Sequence, residues 1–397
     1  MRSPINPGDV ASNVSVSSMK YRKFGKLEWK PSALGFGAMR LPILDGDPAK
    51  INEPLAIEMI RYAIDHGVNY VDSAYMYHRG NSEIVVGKAL RDGYRERVKL
   101  ATKLPCQMVN TADDFDKFLG EQLKKLQTDK IDFYLLHGLR KTNWPKVRDL
   151  GVLKWAEKKL DEGTIGHLGF SFHDELPLFK EIVDIHPWTF CQIHYNYMDN
   201  HYQAGVEGLH YAAKKGIGVV IMEPIAGGRL AINPPEAIKK LWREGHHRWK
   251  PAEWALQWVW HQPEVSLVLS GMSNMEQVVE NVRSAGRSGI GSLTPEDHRL
   301  LEKVALKYRE IGYVGCTGCG YCQPCPSGVA IPEIFGFFNE YYMRDRDDSV
   351  KQRYNESIKP EHAPKSCVRC GKCEELCPQH LPIRDLLKAA GDTFERR

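Results

Sequence analysis

Eight times between residues 19 and 290 a short apolar run gives way to a stretch with helical character. The runs are Ala33–Met39, Val68–Asp72, Val98–Thr102, Ile131–His137, Ile165–Phe170, Phe190–Tyr195, Gly218–Glu223 and Val265–Leu269. Runs of this length read as buried strands. The stretches between them are Glu53–His66, Ser82–Arg91, Thr111–Leu126, Gly151–Glu162, Glu175–Ile185, Gln203–Lys215, Pro251–His261 and Asn274–Gly286. In Glu53–His66 apolar residues recur near every third or fourth position, and Thr111 with Asp114 suits a capped helix start. Eight strands, each followed by a helix, predict a closed (β/α)8 TIM barrel rather than an open doubly wound sheet.

The 397 residues exceed one ordinary domain, so the expectation is a barrel over 19–291 and a smaller unit over 292–397. Residues 1–18 have no secretory layout and read as a disordered extension, with Met19 the expected start. Lys+Arg 54 against Asp+Glu 50 gives +4, which argues against nucleic acid as a partner. No run approaches the ~18 apolar residues of a membrane span, so no membrane partner is expected. Asn233–Arg248 reads as a solvated excursion, and Thr-Pro-Glu-Asp within Ser292–Ile311 starts a connecting helix.

The strand ends carry the chemistry. Asp72 ends the second run, and Tyr77 follows it five residues later. Lys103 follows the third run and His137 ends the fourth. Taken singly, a lysine after a strand is a solvated cation, a tyrosine is packing and a histidine is a satisfied structural group. Together they converge on the carboxyl end of a barrel, where this fold keeps its reacting groups. The set suits reduction of a carbonyl. Hydride arriving at carbon leaves charge on oxygen, and a proton must follow. A phenol with a pKa of about 10 is a poor acid, and a neighbouring ammonium lowers that value. Tyr77 is therefore the expected proton donor, Lys103 its tuner, Asp72 the anchor of the lysine and His137 the group that orients the carbonyl. His78, His173 and His194 are expected at the rim of the substrate pocket.

From Tyr21 to Arg287 the chain resembles the aldo-keto reductase family, on the segments LGFGAMRLP, VDSAYMYHRGNSE, LATKLP, DFYLLH, GFSFH and QIHYNYMD. The resemblance implies a tetrad of Asp72, Tyr77, Lys103 and His137 without a catalytic metal. It also implies NADP or NAD lying across the mouth, its nicotinamide near Asp72, Ser171 and Gln192. The late loop Ser270–Asn281 stands where the family grips the adenosine phosphate; Ser270, Ser273, Gln277 and Asn281 match, and Glu280 falls at the adenine. Two departures stand out. Phe172 replaces a frequent Asn after Ser171. Met272 replaces a frequent Lys, and no Arg lies between Ser270 and Asn281, so the choice between NADP and NAD is open. No G-x-G-x-x-G follows the first strand.

Eight of the ten cysteines lie in two runs of the tail, CTGCGYCQPCP from Cys316 and CVRCGKCEELCP from Cys367. The second is C-x2-C-x2-C-x3-C-P, the bacterial ferredoxin spacing, in which the fourth cysteine serves the other cluster. The expected ligands are Cys316, Cys319, Cys322 and Cys377 for one 4Fe-4S cluster and Cys367, Cys370, Cys373 and Cys325 for the other. Zinc in a four-thiolate site, or one cluster with spare thiols, are the alternatives. IFGFFNEYYMRDRDD between the runs is expected to pack its aromatic half on the barrel or over a cluster, in a tail stapled by its clusters. Aldo-keto reductases fused to a ferredoxin-like tail form a subgroup that the chain resembles end to end.

The expected activity is NAD(P)H-dependent reduction of an aldehyde, ketone or sugar-like carbonyl in the cytoplasm. The alternative is an electron-transfer or regulatory module whose clusters serve a protein partner. A cubane moves one electron and a nicotinamide moves a hydride, and a flavin normally joins them. No flavin signature is found, and a bound flavin is left open.

Overall fold

The computed structural model describes residues 18–231, 234–311, 314–344 and 346–395. The extension expected at 1–18 therefore falls, as far as residue 17, outside the described residues. Eight strands close into one parallel barrel in sequence order. They are β1 (Leu34–Gly37), β2 (Tyr70–Asp72), β3 (Lys99–Leu104), β4 (Ile131–Leu139), β5 (Ile165–Phe172), β6 (Phe190–His194), β7 (Gly218–Met222) and β8 (Val265–Gly271). The helices that follow them are α1 (Glu53–Asp65), α2 (Ser82–Ala89), α3 (Asp113–Leu126), α4 (Val152–Asp161), α5 (Leu176–Ile185), α6 (Gly205–Lys214), α7 (Pro251–His261) and α8 (Met275–Gly286). Asn52 and Asn274 cap α1 and α8 by accepting from the backbone N–H of Leu55 and Gln277. The expected strand ends shift by at most two residues. Ala38–Arg40 is a 3-10 turn, and β3 and β4 run on, so that Lys103 and His137 lie inside their strands.

Side chains alternate across each strand. Tyr70, Ala101, Phe133, Leu135, Phe190, Val220 and Leu267 fill the interior together with Phe24. Val71, Leu100, Tyr134, Leu136, Cys191 and Val268 face the helices. Phe24 comes from a hairpin whose arms meet at Tyr21 and Ser32. It closes the amino-terminal end so tightly that a Cβ on Gly218 would lie 2.7 Å from its ring. With that end plugged, the cavity lies at the carboxyl-terminal mouth.

The connecting helix α9 (Pro295–Glu310) starts with a capping box between Thr294 and Asp297. Its Leu300, Leu301, Val304 and Tyr308 join the apolar layer of the barrel. The charged excursion is a helix over Glu236–Glu244 that buries Ile238 and Trp242, while Asn233 lies outside the described residues. The tail adds α10 (Ile331–Met343), α11 (Asp348–Ser357) and α12 (Ile383–Phe394). Phe335, Phe338, Tyr341, Val350, Tyr354, Leu387 and Phe394 form a core of its own. The aromatic half of the inter-run segment thus builds this core rather than packing on the barrel, with Phe335 also facing one set of cysteines. Among the described residues no helix is long and apolar enough to cross a membrane.

Candidate active site

Strand alternation delivers the polar set. Asp72 follows Tyr70 by two residues, Lys103 follows Ala101 and His137 follows Leu135, so each inherits the interior-facing parity of a core residue. Ser171 and Gln192 are register partners across β5 and β6 and stand at one height. Tyr77 sits on a turn beyond β2 that holds His78 and Arg79 at φ +53°. His78 bridges this turn to the loop after β1, accepting from the Leu41 N–H (3.0 Å) and bonding the Pro48 carbonyl (2.9 Å).

The buried Lys103 Nζ donates to Asp72 Oδ1 (2.6 Å), the Ser73 carbonyl (2.6 Å) and the Tyr77 hydroxyl (3.3 Å). The Tyr77 and His137 rings meet edge to face with centroids 5.9 Å apart. Burial pushes Asp72 up and Lys103 down, each opposed by its partner's charge. His137 is held well below the usual imidazole range by burial and then by Lys103 and Arg140, so its ring is neutral at physiological pH. Tyr77 departs from expectation. Burial, followed by the charges of Asp72 and Glu223, pushes its phenol well above 10. Desolvation outweighs the lowering pull of the Arg40 guanidinium, so burial keeps the phenol protonated rather than acidified.

A cavity of about 450 Å³ opens over these groups. Asp72, Tyr77, His137, Ser171 and Gln192 line one end, and Ser270, Ser273, Gln277, Glu280 and Asn281 line the other. Gln277 Oε1 accepts from the Ser273 N–H (2.7 Å), and Asn281 Nδ2 donates to Ser270 Oγ (3.0 Å). Glu280 pairs with Lys250, which shares the wall. Ser171 Oγ accepts from the Gly138 N–H (2.7 Å), and the buried Gln192 Oε1 has no protein partner. Phe172 turns away against Phe179 (5.2 Å), and Met272 is fully buried.

The aldo/keto reductase family model matches residues 33–305. The chain belongs to the aldo/keto reductase family. A probable aldo-keto reductase from Glycine max is 27% identical over 66% of this chain and 82% of its own length. An L-galactose dehydrogenase from Arabidopsis thaliana is 28% identical over 73% and 95%. Among solved structures, a Bacillus halodurans aldo-keto reductase in its holo form superposes with a TM-score of 0.60 at 28% identity, covering 72% of this chain and 96% of that one. A 4Fe-4S dicluster domain matches residues 315–381, so this reductase carries an iron–sulfur domain behind its barrel.

In the reductase that domain lies over the barrel mouth. Arg40 Nη2 donates to the Thr317 carbonyl (2.6 Å), Arg229 Nη1 to the Val314 carbonyl (2.5 Å) and Arg140 Nη1 to the Glu375 carbonyl (3.2 Å). Gln203 Nε2 donates to the Pro378 carbonyl (2.5 Å), and His380 Nε2 bonds the His173 carbonyl (2.8 Å). Cys316, Cys319, Cys322 and Cys377 line one small cavity with Ile331 and Phe335. Cys325, Cys367, Cys370 and Cys373 line another with Ile331 and Leu387. Each quartet takes its fourth cysteine from the other run. Among the described residues no three His, Cys, Asp or Glu are grouped to hold a single metal ion. The four thiols of each cavity stand beside Ile331, which fits the all-thiolate ligation of a cubane.

Sequence reasoning did not single out several groups. Tyr321, Pro378 and Gln379 reach from the tail into the cavity beside the expected ligand Cys319, and Arg40, Glu223 and Lys250 line it from the barrel. Glu83, fully buried, accepts from Thr102 Oγ1 (2.6 Å) and Gln122 Nε2 (2.8 Å). The same Gln122 amide donates to the Lys103 carbonyl (2.9 Å), so this group braces β3 behind Lys103. Glu83 falls in the quoted family segment, which was its one signal; Tyr321 offered none beyond lying between two cysteines. Of the rim histidines, His173 lines the cavity, whereas His194 contacts Asn196 (3.2 Å) and Asp199 (3.5 Å).

Proposed function

We propose that the chain reduces a small aldehyde, ketone or sugar-like carbonyl with NADPH or NADH, with Tyr77 as proton donor. The observation that carries this reading is the buried line Asp72–Lys103–Tyr77, 2.6 Å and 3.3 Å between polar atoms, under an open cavity. The nicotinamide, when bound, supplies the hydride. Gln192 Oε1 and the Ser171 hydroxyl are oriented to hold its carboxamide at one end. At the other end Ser270, Ser273, Gln277, Glu280 and Asn281 receive the adenosine half, with Lys250 the cation beside them. Neutral His137 orients the carbonyl. As charge develops on oxygen, Tyr77 gives up its proton and Lys103 stabilises the phenolate left behind. Because Asp72 already fixes the Lys103 ammonium, that cation does not have to reorient as the phenolate forms. One relative is named for L-galactose, which supports keeping sugar-like carbonyls in the substrate class.

The eight tail cysteines would hold two 4Fe-4S clusters, which would supply one-electron chemistry or a structural staple. A second reading has its own support: Cys319 lines the cavity that Tyr77 and His137 line. In it the barrel binds nucleotide and the clusters pass electrons to a protein partner, with little carbonyl turnover.

Tyr77→Phe decides the main reading. Carbonyl reduction should fall by about 10²–10⁴-fold, the range of a general acid, while nucleotide binding followed by fluorescence is retained. Unchanged turnover would reject the role of Tyr77. Anaerobic titration with NAD(P)H separates the two readings. Clusters that stay oxidised beside brisk aldehyde reduction support the reductase, and bleaching by nicotinamide alone supports the relay.

A further inference from the structure

The iron–sulfur tail places a residue of its own on the reacting groups. Tyr321 lies between Cys319 and Cys322, and its ring lines the same cavity as Tyr77, His137 and Gln192. Its hydroxyl lies 3.3 Å from His137 Nε2, and the two rings are 6.4 Å apart at 75°. No side chain of the barrel contributes to this bond besides His137. The loop carrying Tyr321 is pinned on both flanks. Before Tyr321, Arg40 and Arg229 donate to the carbonyls of Thr317 and Val314; on either side of it, Cys319 and Cys322 belong to one sulfur-lined cavity.

Two further groups show that the roof is built for a polar ligand. Gln379 of the tail lines the cavity, and its buried Nε2 has no protein partner. Glu223 faces it from the barrel, with a buried Oε2 likewise unpartnered. Buried polar atoms left without a partner are costly, and here they line the cavity in which a substrate with hydrogen-bonding oxygens would satisfy them.

We propose that Tyr321 contacts the substrate, its hydroxyl joining Tyr77 and His137 around the carbonyl oxygen, so that the iron–sulfur tail completes the active site of the barrel. The inference rests on the reductase reading. His137 is near neutral and contributes at most one donor, so a second phenol beside it adds a donor where negative charge develops. Tyr321 transfers no proton: it donates a hydrogen bond that strengthens as the oxygen gains charge and leaves the hydride and proton steps to the nicotinamide and Tyr77. A small oxygenated carbonyl compound suits the site, because the roof stands directly above the reacting groups.

The test uses the full chain purified anaerobically with its clusters. Tyr321→Phe keeps the ring and removes the hydroxyl. The expected result is a loss of about 10²–10³-fold in kcat/KM for a small aldehyde, of the order seen when one donor to an oxyanion is removed, carried mainly by kcat. Nucleotide affinity and the cluster absorbance should not change. Replacing Tyr321 with 3-fluorotyrosine preserves shape and packing and should still alter kcat, which a purely structural tyrosine would not do. Unchanged kcat in both variants overturns the proposal. A rise in turnover with Tyr321→Phe also overturns it, because the hydroxyl would then be an obstruction. Failure of the parent reading looks different: the unmodified chain itself would reduce no carbonyl, and Tyr77→Phe would change nothing.

Discussion

Lys103 carries a charge with almost no solvent, and it does so because its three donors are all used, by Asp72, Ser73 and Tyr77. A buried ammonium without such partners would lose its proton or cost several kcal/mol. The residue types and order of this group were readable in the sequence, but its electrostatics were not. Sequence reasoning put the ammonium's pull on Tyr77 first, whereas burial and the facing acids Asp72 and Glu223 push the phenol upward. Burial depends on what covers a residue, and a sequence does not state that. His137 and His173 show the same effect and yield a prediction. Burial holds both well below the ordinary imidazole range, so the folded chain keeps them neutral where the unfolded chain protonates them. Above a pH of about 6.5 neither state binds the extra protons, and stability is unaffected. As pH falls from there, the unfolded state binds more protons and stability drops, until the folded-state values are passed. Urea unfolding followed by tryptophan fluorescence from pH 7.5 to 5 should show this fall, with a flatter slope in His173→Asn.

At the level of elements, the barrel depends on how its amino-terminal end is sealed. The hairpin carrying Phe24 is held by Arg22, whose buried guanidinium donates to the carbonyls of Val265 (2.7 Å), Trp260 (2.9 Å) and Gln262 (2.6 Å). One side chain thus ties the first described segment to the entry of the last strand, satisfying carbonyls that would otherwise be orphaned. Arg22→Ala should lower unfolding free energy by roughly 1.5–3 kcal/mol, the range for hydrogen bonds to a charged group, without changing KM. Chemical denaturation measures it; a loss under about 0.5 kcal/mol, the usual size of a surface change, would show that the clamp is incidental. The strands and helices themselves were legible because apolar runs and helical spacing are local signals. Their ends were less so. β3 and β4 continue past the expected stops because their neighbours in the barrel keep pairing with them, as Lys103 does with Leu135. The extra residues put Lys103 inside the barrel wall instead of on a loop, and carry β4 past His137 to Leu139.

As a whole the molecule is a barrel whose open end is roofed by a second unit with its own apolar core. The roof segment from Val314 to Ala330 has no helix or strand, and is held by backbone carbonyls bonded to Arg40 and Arg229 and by its cysteines. Removing iron should therefore loosen the roof before the barrel. Anaerobic chelation of the loaded chain, followed by limited proteolysis and mass spectrometry, should give cuts between 314 and 330 while the barrel survives intact. Equal resistance with and without iron would mean that packing alone holds the tail. The amino-acid sequence by itself determined the eightfold alternation, the parity that turns Asp72, Lys103 and His137 inward, and the two cysteine quartets, because each is a matter of spacing along one chain. Only the tertiary structure decided that Tyr321 meets His137, 184 positions away. That meeting follows from how two units dock, and much of the docking runs through arginines bonded to peptide carbonyls, groups that every residue possesses and that leave no mark in a sequence.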